Sequence, residues 1–346
     1  MDYVNFLPGM KDGDLPAPMP IGRYHDVYLI KESTAQNSGN NSRANPAFIL
    51  KQLKLGTLRA FLTGELLTAG EKNFQPEKSN IIPSIVALPS GGNYFWFRGN
   101  RFLLTTWLKG READYHRTRD LQAAIRTMKI FHWFTRNLII DNPHRWSLLK
   151  FDLRGEWRNR MGEMAVCRKM ARLMKNDWSR QYLTDWPEFN DQAWEAVQEA
   201  DNLADNSNAA ASNGEAVICY HDWAYHNVII DDNSKAFLID FDEIIVDRPV
   251  HDRANLINRY LRLNGWSEES LSQIISDFNR FYEWQPGELH WLRVYLTFPY
   301  EYWMLGRQYF IEKQPWSMKY YQDQWERKIA CRIQRRRVLD LIKSLS

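Results

Sequence analysis

The sequence predicts an α+β fold of two lobes: a small N-terminal lobe with an antiparallel sheet and one helix, and a larger, mainly helical C-terminal lobe. Three observations lead there. Strand-sized apolar runs crowd residues 27–108. Long stretches of helical periodicity dominate from residue 118 onward. The segment "WLKGRE" (107–112) separates the two textures and sets the expected lobes at 27–108 and 109–346.

Residues 1–26 are rich in Pro and Gly and read as an irregular lead-in. "VYLIKES" (27–33) and "AFILKQLK" (47–54) read as strands joined by a long polar, turn-forming loop, hence as a hairpin. "TLRAFLTGELLTAGEKN" (57–73) reads as a helix with Leu58, Leu62, Leu66 and Leu67 near one face. "IPSIVAL", "NYFWF" and "RFLLTTWL" read as short strands separated by Gly-containing turns. Helices are then expected at roughly 118–138, 155–177, 189–206, 250–263, 267–284, 288–313 and 316–344. Short strands interrupt them at "AVIC", "VIID" and "AFLID".

Composition narrows the function. Apolar residues make up 44% and charged residues 25%, a globular balance. A net charge of +3 gives no general pull toward nucleic acid. The three widely spaced cysteines form neither a disulfide framework nor a CxxC metal motif, and point to a reducing compartment. The N-terminus shows no secretory signal, and no apolar run has the length of a membrane helix. Fifteen tryptophans point first to an aromatic core.

The chemistry concentrates in "CYHDWAYHNVIIDDNSKAFLIDFDE" (219–243). Strand, polar loop, strand, turn and strand follow in that order, so Asp240 returns toward the level of Asp222 and Asn227. Phosphoryl transfer from a nucleotide needs such a set. Asp222 would accept or orient the acceptor's hydroxyl proton. Asn227, five residues on, and Asp240, on the next hairpin, would ligate Mg²⁺ and so bridge it to the phosphates of ATP; Mg²⁺ prefers hard oxygen donors. The D-x₄-N spacing, followed eighteen residues after the first Asp by Asp-Phe, matches the protein-kinase-like order. The plainer reading makes Asp222 and Asp240 turn caps. Lys51, on a predicted strand, is placed to meet the α/β-phosphates, and Glu65 or Glu71 on the following helix to hold it. Backbone groups at Thr106, Trp107 and Leu108 would meet an adenine edge.

The motifs "HDWAYHNVIID", "LIDFDE", "DRPVHDRANLI", "LLTTWLKGRE" and, more loosely, "FPYEYWMLGRQYF" with "PWS" resemble the CotS-type spore-coat proteins of endospore-forming bacteria. Those belong to the aminoglycoside-phosphotransferase and choline-kinase-like branch of the protein-kinase-like fold. The resemblance covers about residues 25–340. It implies a two-lobed kinase-like fold, Asp222 as the catalytic-loop aspartate, Asn227 and Asp240 as metal ligands, and Lys51 as the phosphate lysine. It further implies a protein of the mother-cell cytoplasm that assembles on the spore coat beside other coat proteins. Two departures stand out. No G-x-G-x-x-G lies between the first strands, and Tyr220 stands where the branch often has the first His of His-Gly-Asp. A non-catalytic coat component is therefore the alternative to an enzyme acting on a small-molecule or protein hydroxyl.

Other features have weaker claims. His221, Asp222, His226, His251 and Asp252 permit a metal-hydrolase reading, although Asp252 is better placed to brace the catalytic loop. Asp242 is a candidate secondary ligand. The basic run Arg327 to Arg337 reads as a solvated helix face.

Overall fold

The computed structural model describes residues 19–20, 27–31, 46–53, 57–73, 81–86, 94–97, 100–207 and 216–345. Most of the expected lead-in, the loop between the first two predicted strands, the Gly-Gly turn and most of the low-complexity stretch 204–215 lie outside them.

Apolar alternation builds the first sheet. Strands β1 (Met19–Pro20), β2 (Val27–Lys31), β3 (Pro46–Leu53), β4 (Phe95–Phe97) and β5 (Asn100–Thr106) pair antiparallel in the order β1-β2-β3-β5-β4. β2 and β3 form the expected hairpin, with Val27 opposite Lys51. Between β3 and β4, helix α1 (Thr57–Asn73) buries Leu62, Leu66 and Leu67. The described part of "IPSIVAL" makes a bridge, Ile85 to Thr105, flanked by bonds between Val86 and Leu104 and between Ser84 and Thr106. Pro83 has no N–H to extend that ladder.

The rest of the described chain is helical, with five short strands. In chain order it comprises β6 (Arg111–Glu112), α2 (Thr118–Asp141), α3 (Pro143–Trp146), α4 (Leu153–Met174), α5 (Asp177–Ser207), β7 (Val217–Cys219), β8 (Val228–Ile230), β9 (Ala236–Leu238), β10 (Ile245–Asp247) and α6 (Pro249–Leu263). Helices α7 (Glu268–Asn279), α8 (Glu288–Thr297), α9 (Tyr300–Gly306), α10 (Met318–Lys328) and α11 (Arg332–Leu345) complete it. The helix expected at 288–313 is cut at Phe298–Pro299, because proline cannot supply the next helical N–H. α5 starts well before residue 189 and carries Pro187 within it.

Contacts divide the chain into two units, residues 1–149 with 224–244, and residues 150–223 with 245–346. Pairing ties residues 111–141 to the 224–244 segment in the first unit. β6 pairs with β8 and β8 with β9, and Thr127 of α2 donates to the Ala236 carbonyl at 3.1 Å. Gly110 leads into this sheet so closely that a Cβ there would lie 2.5 Å from the Ile230 carbonyl oxygen. In the other unit β7 pairs with β10. Its core is aromatic: the Tyr182 and Tyr302 rings stack with centroids 4.4 Å apart, Phe189 stacks on Tyr302 at 4.5 Å, and Trp178 meets Trp325 edge-on at 5.2 Å. The tryptophans seen here serve packing, as the composition suggests. Most of the described basic side chains at the C-terminus are spent within the chain. Arg332 faces Asp185 and Glu188, Arg336 pairs with Glu195, and buried Arg335 donates to the carbonyls that end α8.

Candidate active site

In the unit that holds the first sheet, the β8–β9 hairpin sets the geometry. Val228 lies opposite Leu238, and Ile239 N–H donates to the Asn227 carbonyl at 3.0 Å. Asn227 is thus one step across the ladder from Asp240. Asp231 Oδ1 closes the turn by accepting from Asn233 N–H and Lys235 N–H at 2.9 and 2.8 Å. Asp240 itself adopts the left-handed backbone, φ 64°, which Asp tolerates better than most residues.

Lys51 reaches this point from β3. Its ammonium lies 2.6 Å from Asp240 Oδ1 and 2.8 Å from Asp242 Oδ1. Burial pulls the Lys51 pKa down, but the Asp240 and Asp242 carboxylates outweigh it and hold the lysine above its ordinary value. Burial pushes the Asp242 carboxyl up, and Lys51 offsets only part of that. Asp242 Oδ1 is buried, with the Lys51 ammonium as its close cation partner. α1 fixes the backbone beneath: Arg59 donates to the Asp242 carbonyl at 3.2 Å and Thr63 to the Phe241 carbonyl at 3.4 Å.

Glu65 does not join this cluster among the described contacts. It pairs with Arg145, whose guanidinium also covers the Phe61 ring at 5.6 Å. Among the described contacts Lys51 is held between two aspartates, and the side chain of Glu71, the other expected partner, lies outside the described residues. At the expected hinge, Thr106 N–H is already given to the Ser84 carbonyl, and its hydroxyl accepts from Ser84 N–H. Trp107 and Leu108 follow β5 and are half-buried.

In the other unit, α6 organises the loop that carries Asp222. Fully buried Asp252 accepts from Tyr220 N–H and His221 N–H, both at 2.8 Å. Asn255 accepts from Trp223 N–H at 3.2 Å and donates to the His221 carbonyl at 2.9 Å. Arg259 donates through Nε to Asn255 Oδ1 at 3.0 Å and through Nη2 to Asp222 Oδ1. Positions 252, 255 and 259 share one helix face. Sequence reasoning reaches Asp252 but misses Asn255 and Arg259, although "HDRANLINR" carries their spacing; a guanidinium a turn beyond a loop-bracing carboxylate is the signal for Arg259.

His221 also holds a left-handed backbone, φ 66°. Its imidazole packs against Phe151 and His251, and burial, with help from the His251 and Arg160 charges, pushes its pKa down to about 3. His251 Nδ1 lies 2.7 Å from Asp247, whose same oxygen accepts from the Tyr295 hydroxyl at 2.9 Å. The His221 imidazole is given to packing and that of His251 to the Asp247 carboxylate, which weighs against the metal-hydrolase reading. Tyr220, at the departure from His-Gly-Asp, is fully buried with its ring edge-on to Trp223 at 5.3 Å.

The donor chemistry suits a divalent cation. Asn227 offers an amide oxygen, and Asp240 and Asp242 offer carboxylates already gathered around a positive charge, the hard-oxygen set that Mg²⁺ takes. Five residues before Asn227, Asp222 presents a partly exposed carboxylate able to accept a proton.

A family model described as the phosphotransferase enzyme family matches residues 80–295. Among solved structures the chain is similar to the aminoglycoside phosphotransferase of Alicyclobacillus acidocaldarius, at 16% identity over 96% of this chain and 93% of that one, TM-score 0.74. It is similar also to a spectinomycin phosphotransferase in complex with ADP and spectinomycin, at 10% identity over 90% and 87%, TM-score 0.55. A third is an amicoumacin kinase in complex with AMP-PNP and Ca²⁺, at 12% identity over 97% and 93%, TM-score 0.52. These likenesses establish the kinase-like fold, with a small antiparallel-sheet lobe and a larger helical one.

Proposed function

The chain belongs to the phosphotransferase enzyme family, and on that premise we propose that it moves the γ-phosphoryl group of ATP to a hydroxyl acceptor with Mg²⁺. Asp222 takes the hydroxyl proton. Lys51 holds the α/β-phosphates, with Asp240 and Asp242 keeping its ammonium in place until nucleotide arrives. Trp107 and Leu108 offer backbone groups to the adenine edge. Asn227 and Asp240 hold Mg²⁺, with Asp242 beside them; bound there, the ion supplies charge neutralisation on the phosphates.

The observation that supports this most is the contact between Lys51 and Asp240, 189 positions apart in sequence, at 2.6 Å. A structural cap on a surface turn would not need a half-buried lysine. The test is a labelled-ATP screen of hydroxyl acceptors. Asp222→Ala and Asp240→Ala are each expected to abolish turnover while the fold survives. ATP consumption at the wild-type rate in either variant refutes the assigned role.

The motif resemblance adds location. We infer that the protein is made in the mother cell and assembles on the spore coat with other coat proteins. A fluorescent fusion should ring the forespore in sporulating cells; fluorescence that stays diffuse rejects the inference. One observation favours a non-catalytic coat component instead: Asp240 and Asp222 are each held by a cation of the chain itself. Mg²⁺-ATP decides between the two. Saturation at about 100 times Kd adds about 2.7 kcal/mol of stability to a binder, and none to a scaffold.

A further inference from the structure

We propose that the hydroxyl acceptor carries an anionic group, phosphate or carboxylate, which Arg259 binds, and that this binding draws the guanidinium off Asp222. The inference rests on the phosphotransferase reading of Asp222.

Arg259 is placed for such an exchange. Its Nε donates to Asn255 and its Nη2 to Asp222 Oδ1, so one planar guanidinium spans the loop-bracing amide and the proposed base, and a shift of that plane toward another oxygen frees Asp222. Both side chains are open to solvent, 26% for Arg259 and 29% for Asp222. Other arginines of this region have separate acidic partners. Arg253 pairs with Glu288 at 2.8 Å, Arg262 lies 3.4 Å from Glu301, and Arg160 pairs with Glu156 at 2.9 Å. Arg259 instead pairs with the proposed base itself.

Two consequences follow. In the free protein the base is occupied, and an acceptor hydroxyl must compete with a guanidinium for Asp222. A cationic acceptor meets a guanidinium at that carboxylate, and like charges at contact oppose its approach. An anionic substituent does the reverse: it offers Arg259 a second oxygen pair in the fork geometry guanidinium prefers. Once Asp222 is released, the hydroxyl proton passes to its carboxylate. The hydroxyl oxygen then bonds to the γ-phosphorus, the bond from that phosphorus to the β-bridging oxygen breaks, and ADP leaves. Asp222 returns the proton to solvent.

The probes are glycerol 3-phosphate, glycerate, glycerol and ethanolamine, tested on wild type, Arg259→Lys and Arg259→Gln with labelled ATP. One or both anionic probes should exceed glycerol and ethanolamine at least tenfold in kcat/KM. Arg259→Gln should lose that preference and Arg259→Lys keep part of it. Glycerol 3-phosphate against glycerate separates phosphate from carboxylate recognition. Binding is read independently of turnover: with Mg²⁺-ADP present, an anionic probe should raise the wild-type Tm and leave that of Arg259→Gln unmoved. Equal or better use of glycerol or ethanolamine overturns the proposal. So does a preference that survives Arg259→Gln, or a wild-type Tm unmoved by both anions. If Arg259→Gln fails to fold, the wild-type ranking and Arg259→Lys still decide. Failure of the underlying reading looks different: Asp222→Asn would then consume ATP at the wild-type rate.

Discussion

Replacing Lys51 with Met keeps an apolar stem of similar length and removes the charge between Asp240 and Asp242. Unit charges ~4 Å apart interact by about 4 kcal/mol at an effective dielectric of ~20, before desolvation is subtracted. Exposed pairs retain under about 1 kcal/mol of this, while breaking a buried pair costs about 3–5 kcal/mol. Lys51 is 18% exposed and its partners are 39% and 24%, between those limits. We expect a loss of about 2 kcal/mol, or roughly 4–8 °C in Tm for a unit of this size. The loss depends on pH in a defined direction. Burial already holds the Asp242 carboxyl above its ordinary value, and removing Lys51 raises it further. A carboxyl whose folded pKa is raised opposes folding above that pKa, and the opposition fades as falling pH protonates it. The deficit of Lys51→Met should therefore be full at pH 7.5 and shrink by pH 5. Thermal melts at both values, with and without Mg²⁺-ATP, provide the assay. An equal deficit at both values, or none, refutes the paired-carboxylate account of Lys51.

Four further outcomes are expected. Asp222→Asn should lower turnover by about 10²–10⁴-fold while Mg²⁺-ATP still stabilises the fold; a drop of less than tenfold contradicts its role as base. Glu65→Gln should cost under about 1 kcal/mol and less than tenfold in turnover, because Glu65 pairs with Arg145; a larger kinetic loss would restore it as the lysine's partner. Asp252→Ala removes two charge-assisted bonds to the Tyr220 and His221 amides and should cost about 3–5 kcal/mol, read as a large fall in Tm. His221 has a folded pKa of about 3, so the stability linked to its neutral form is present above about pH 6.5 and lost as pH falls toward 3. His221→Asn, which tolerates the left-handed backbone, should flatten the fall in Tm between pH 7 and pH 4.5; an unchanged slope would exclude His221 as its source.

Local pattern made the first hairpin, α1 and the three strands around Asp222 legible, because alternation and turn chemistry act over a few residues. β6 and β10 escaped: "RE" and "IVD" are too short to show periodicity, and partners distant in sequence create them. The candidate site divided in the same way. Asp222, Asn227 and Asp240 follow from spacing along one segment. The neighbours of Lys51 and Glu65 do not, since each contact spans a long stretch of chain. Arg145 gives no local sign that it will take Glu65.

The threading of residues 224–244 has a consequence for dissecting this protein. The chain leaves one unit, supplies a hairpin to the other and goes back, so no single cut yields two self-sufficient fragments. A fragment ending at Leu149 would leave β6 without its neighbour β8 and Thr127 without its acceptor on β9. Splitting or permuting the molecule must carry that hairpin along as a separate insert, or grafted onto the N-terminal piece.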